Sequence, residues 1–137
     1  MNWKGDPELQ KLRESFLSSL YQRWLEMRAA RLNFAGNPRN EQYFALLIQW
    51  THQLAGSARS YQFPTLGLLS ETLDIWLQTF EPNAALDQKT REQLTVAFEL
   101  LDEAISQTCV LGDDPKAILA DSRWVTLSEI VQALPVG

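Results

Sequence analysis

The chain carries one histidine, His52, and one cysteine, Cys109, so few sites of familiar chemistry can be built from it. A zinc centre needs three or four closely spaced ligands, and one His and one Cys far apart do not supply them. A hydrolytic triad or a Cys–His pair needs a nucleophile on a strained turn next to the histidine, and no such motif surrounds His52. No glycine-rich loop is present to cradle a phosphate. Acidic residues are scattered along prospective helix faces, and Asp113-Asp114 reads as a solvated turn. Cys109 lies beside an apolar run and reads as a core filler. No metal and no cofactor is expected.

What remains is the neighbourhood of His52: Thr51-His52-Gln53-Leu54-Ala55-Gly56-Ser57-Ala58-Arg59. At about 100° per residue, Thr51, Leu54 and Ala58 face inward. His52 stands beside that seam, on a flank shared with Ile48, Gln49, Ala55, Gly56 and Arg59. Ala55 and Gly56 follow it by one turn and are small, so the imidazole is expected on the surface with open ground around it. A glycine within a helix costs about 1 kcal/mol relative to alanine. Either it gives a partner access to the ring, or it serves a close helix crossing. Arg59 lies about 10 Å further along the axis. Helical side chains lean toward the N-terminus, so it is expected to reach back over Gly56 toward the ring. Gln49 and Gln53 can donate further hydrogen bonds.

The elements that must hold this histidine are helices. Asp6-Pro7-Glu8 supplies a cap, a proline at the first helical position and an acid in the first turn. The helix it opens is expected to run to about Phe34. Leu9, Leu12, Phe16, Leu20, Trp24 and Met27, with Leu17, Tyr21 and Leu25, make an apolar stripe wider than one seam requires. Asn37-Pro38 opens a second helix, whose seam is Phe44, Leu47, Thr51, Leu54 and Ala58. Phe63-Pro64 opens a third, with Leu66, Leu69, Leu73, Trp76 and Phe80 inward, and Pro82-Asn83 ends it. The fourth runs from about Leu86 to Val110, with Leu94, Phe98, Leu101 and Ile105 inward; Gly112 and Pro115 close it. In the tail, Thr126-Leu127-Ser128-Glu129 has the form of a capping box opening a short helix through Leu134. Leu119, Trp124, Val125 and Ile130 are expected to pack that helix on the rest. No segment alternates as a strand would. Long amphipathic helices with short connections predict an all-α fold, an antiparallel up-down four-helix bundle with a short C-terminal helical extension.

Composition agrees. Of 137 residues, 45% are apolar, including five Trp and six Phe, enough for a hydrophobic core. Seventeen acidic against 12 basic side chains leave a net charge of −5, which argues against nucleic-acid binding. The polar stretch Met1 to Glu8 shows no signal peptide, and no apolar run approaches the ~20 residues that span a bilayer. A soluble, cytoplasmic protein, without membrane contact, is expected.

The run His52-Gln53-Leu54-Ala55-Gly56-Ser57-Ala58 resembles the signature of histidine-phosphotransfer domains of bacterial phosphorelays. Phe63-Pro64-Thr65-Leu66, followed by Leu69, Leu73 and Asp74, is similar to the start of their next helix. The resemblance covers roughly Leu12 to Ile105. It implies a phosphotransfer bundle over residues 1–112, with residues 113–137 as a tail packed on it. Two positions depart from the family: Ala55 stands where many members carry Lys or Arg, and Gln62 stands where a Gly is common.

The resemblance also implies a division of labour. A response-regulator receiver domain carries an aspartyl phosphate and Mg²⁺, and the bundle supplies one nucleophilic imidazole nitrogen, Nε2 of His52. It would be a monomeric phosphocarrier rather than an enzyme, with Gln49, Gln53, Ala55, Gly56 and Arg59 around the phosphate or against the receiver. Two other readings stand beside this one. One is a helical scaffold that binds a receiver without phosphotransfer. The other is the phosphoacceptor part of a longer sensor kinase, to which Pro135-Val136-Gly137 would be a linker.

Overall fold

The computed structural model describes residues 5–28, 41–81 and 86–134. All regular structure among them is helical: α1 (Pro7–Glu26), α2 (Glu41–Ser60), α3 (Pro64–Leu77), α4 (Gln88–Leu111), a 3₁₀ turn (Lys116–Ala120) and α5 (Ser122–Gln132). None of these helices is long and apolar enough to cross a membrane.

α1 begins as its cap dictates, with the Asp6 carboxylate accepting from the N–H groups of Glu8 and Leu9 at 3.0 and 3.2 Å. It ends at Glu26, short of Phe34, with Met27 as its C-terminal cap, the Met27 N–H donating to the Arg23 carbonyl at 2.9 Å. Phe34 and Asn37-Pro38 lie outside the described residues. Leu20 and Trp24 are buried, whereas Leu12, Tyr21 and Leu25 of its wide apolar stripe are exposed.

α2 buries all five seam residues, Phe44, Leu47, Thr51, Leu54 and Ala58, together with Trp50. The Thr51 hydroxyl is admitted to the core because it donates to the Leu47 carbonyl at 2.8 Å. At the end of α2, Gln62 adopts φ +68°, the left-handed conformation that glycine usually supplies. The Phe63 N–H reaches back to the Ala58 carbonyl at 2.8 Å. The helix end therefore takes a left-handed turn of the kind glycine usually makes, with a side chain in the strained position.

α3 is the central helix, packed against α2, α4, α5 and the 3₁₀ turn. Leu66, Leu69, Leu73 and Trp76 are buried as expected. Phe80 falls beyond the helix end at Leu77 and is half-buried, packing on Trp76 with ring centroids 5.5 Å apart. Phe63 at the N-terminus offers no side-chain cap. Asp114 provides one from across the fold, accepting from the Thr65 N–H at 2.8 Å and the Thr65 hydroxyl at 2.5 Å. Asp114 is thus a cap for a distant helix and not a solvated turn residue.

α4 starts at Asp87, whose carboxylate accepts from the Thr90 N–H at 2.7 Å, and ends at Gly112 with φ +69°. Leu94, Phe98, Leu101 and Ile105 are buried. α1 packs along α4: the Trp24 indole donates to Asp102, and the Cys109 thiol lies 3.8 Å from the Leu17 carbonyl. The final helix departs from its capping-box expectation. It opens at Ser122 with Asp121 as cap, and Thr126 sits inside it with its hydroxyl on the Ser122 carbonyl at 3.0 Å. Asp121 wins because Arg123 clamps it from its backbone N–H, its Nε and a terminal nitrogen, while also gripping Glu103 of α4. Leu127 and Ile118 are the buried anchors of this segment; Trp124 and Ile130 are half-buried, and Leu119 and Val125 are exposed.

Candidate functional site: an oriented surface histidine

α2 and α3 pair in opposite chain order, His52 meeting Asp74 and Arg59 meeting Glu71. Their contact is close because Gly67 lacks a side chain. A Cβ there would stand 2.7 Å from Cγ of Arg59 and 3.2 Å from the Ala55 carbonyl oxygen. Gly67, rather than Gly56, is the close-approach glycine. A Cβ built on Gly56 meets nothing within 4 Å.

This packing places the His52 side chain on the surface, 75% exposed. Its Nδ1 lies 2.9 Å from Oδ2 of Asp74, whose side chain is only 6% exposed. A carboxylate can only accept, so this contact puts the ring's proton on Nδ1 when the imidazole is neutral. Nε2 is then left with its lone pair. The second oxygen of Asp74 accepts from Nε2 of Gln78 at 2.9 Å. Ile48, Gln49, His52, Gln53 and Gln78 line a shallow open depression of about 470 Å³. An exposed, tautomer-fixed imidazole in open surroundings can act as a nucleophile toward a group brought by another molecule. Among the described residues, Asp74 is the acid or base hydrogen-bonded to the ring.

Gln49, Gln53 and Gly56 lie where the helical spacing puts them, exposed beside His52. Ala55 does not share that open flank: it is buried against α3. Arg59 also departs from expectation. Its stem lies over Gly67 and its guanidinium pairs with Glu71, so the side chain runs across α3 instead of back over Gly56. An arginine leans toward the nearest carboxylate it can reach, and Glu71 lies one helix across, one turn beyond the slot that Gly67 leaves. Comparisons of the chain with family models, with curated proteins and with solved structures gave no match.

Asp74 is the residue whose role the spacing around His52 did not reveal. Its signal was present: an acid beside Leu73 in a helix whose neighbours Ser70, Thr72 and Leu77 are also buried. An acid in such company needs a partner. Elsewhere the chemistry is quiet. Burial pushes the Cys109 thiol above its ordinary range, which suits a packed and unreactive sulfur. Among the described residues no group of His, Cys, Asp and Glu could hold a metal ion.

Proposed function

We propose that the protein is a phosphocarrier of the histidine-phosphotransfer type, acting in the cytoplasm on a response-regulator receiver domain. The observation that carries the reading is the pairing of an exposed His52 with the buried Asp74 carboxylate at 2.9 Å. In the step proposed, the Nε2 lone pair attacks the phosphorus of the receiver's aspartyl phosphate. The new N–P bond forms as the P–O bond breaks, and the electron pair returns to the receiver's carboxylate. No proton has to leave, because the ring proton stays on Nδ1. The phosphorylated ring is then positively charged, and Asp74 faces that charge directly, as a buried acid steadies an imidazolium. In-line positioning and neutralisation of the phosphoryl oxygens fall to the receiver and its Mg²⁺. The protein has no turnover of its own.

The architecture that goes with this reading is an up-down four-helix bundle of α1 to α4, with the 3₁₀ turn and α5 laid on it, and a single copy suffices. Its support lies in the antiparallel order of the α2–α3 contacts and in the packing of α1 along α4. The alternative, a scaffold that binds a receiver without accepting phosphate, has one observation in its favour: Arg59 is taken up by Glu71, leaving no cation of α2 beside the ring. Incubation with phosphorylated receivers separates the two. The carrier acquires acid-labile phosphate, whereas the scaffold forms a complex and stays unlabelled.

A further inference from the structure

We infer that Gln78 is a positioning residue for His52, acting through Asp74 to hold the reactive tautomer; this rests on the phosphocarrier reading only for its consequence in transfer. The Asp74 carboxylate is almost wholly buried, so water cannot satisfy both of its oxygens, and each has a side-chain donor. Oδ2 takes His52 Nδ1 and Oδ1 takes Gln78 Nε2, both at 2.9 Å. Those two bonds define the rotation of the carboxylate about its last torsion, a broad torsion that a single contact would leave loose. Gln78 is well placed for this. It caps the C-terminus of α3, with its own N–H fixed to the Asp74 carbonyl at 3.0 Å, so its side chain stands one turn above the acid it holds. It is also on the rim of the depression that contains His52.

Without the Gln78 bond, Asp74 turns to seek a second donor and its grip on Nδ1 slackens. A neutral imidazole free of partners prefers its proton on Nε2, the wrong nitrogen for attack. The competent fraction of the ring then falls, and the rate falls with it.

The test uses the full chain, with Gln78→Met as a near-isosteric change that removes the donor, and phosphoramidate as a small phosphoryl donor needing no receiver. Nitrogen NMR of the imidazole at a pH where it is neutral should show Nδ1–H in the parent and a mixture of tautomers in Gln78→Met. Labelling of His52 by phosphoramidate should slow roughly three- to tenfold, as expected if part of the ring population loses its poise. The melting temperature should hold within about 3 °C, since Gln78 is exposed. Gln78→Lys, which restores a donor, should return Nδ1–H. An unchanged tautomer and rate in Gln78→Met would overturn the inference, as would a parent ring protonated on Nε2. A parent that is never labelled, but whose tautomer still responds to Gln78→Met, upholds the positioning role and removes the phosphocarrier reading.

Discussion

Around His52, single side chains can be separated by what each change removes. Asp74→Ala takes away the acceptor for Nδ1, while His52 and Gln78 are exposed enough to turn to water. Transfer should fall on the order of tenfold to a hundredfold, the usual cost of losing a partner that orients a reactive imidazole. The circular dichroism spectrum should be unchanged, and parent-like rates would show that Asp74 is merely packed. Gly56→Gln should leave stability equal or slightly higher, because a Cβ there meets no atom and glycine is the poorer helix former. It should slow transfer from a receiver more than labelling by a small phosphoryl donor, since only the receiver needs the open ground. Arg59→Ala should alter transfer little and stability by at most about 1 kcal/mol, because the Arg59–Glu71 pair is half-exposed. A steep loss of transfer would mean that Arg59 leaves Glu71 for the phosphoryl group. The exposure of His52 was legible from helical spacing alone, whereas spacing left Gly56 open between access and a close helix crossing, and the packing of α2 on α3 decides for open space. The partners of His52 and Arg59 were not legible, because both sit on α3, and one helix's periodicity is silent on which face of its neighbour it meets.

The helices themselves were largely readable, because caps and seams are local. Asp6-Pro7, the α2 seam and Gly112 act within a turn or two of where they stand. What escaped were the long-range caps. Nothing next to Phe63 announces that Asp114 will satisfy the start of α3, and the box-like Thr126 to Glu129 run loses to an Asp121 clamped by Arg123. Asp114→Ala should destabilise the fold by about 1–2 kcal/mol in chemical denaturation, the range for a lost cap that leaves a buried Thr65 N–H without an acceptor. Gln62→Gly should raise stability by up to about 1 kcal/mol by relieving the left-handed strain. The attachment of α5 should be acid-sensitive. Hydrogen bonds from Arg123 lower the Asp121 carboxyl from 3.8 to about 2. A carboxyl held below its unfolded value stabilises the fold at pH above about 4, and that stabilisation is lost as pH falls from about 4 toward 2. Arg123→Gln should flatten the decline of melting temperature over that interval. An equal slope in both proteins would remove the clamp from the account.

On the scale of the whole molecule, the surface around His52 is made of amides and small or apolar groups. Gln49, Gln53 and Gly56 are exposed on α2, with Leu68, Ile75 and Gln78 exposed along one flank of α3. Apart from Asp74, which is buried beneath the ring, the charged side chains described on α2 and α3 are Arg59 and Glu71, and these pair with each other. A receiver that docks there gains little from ion pairs, so its affinity should change only a few-fold between about 50 and 500 mM salt, a range that would weaken a charge-driven complex far more. The central claim, however, is about one nitrogen atom. It is tested most directly by transfer from a phosphorylated receiver, followed by neutral-pH mass spectrometry and phosphorus NMR of the parent and of His52→Gln. The account predicts phosphate on His52 alone, bonded to Nε2, acid-labile, and absent from a folded His52→Gln variant. Phosphate on another residue, or equal labelling of His52→Gln, would contradict it.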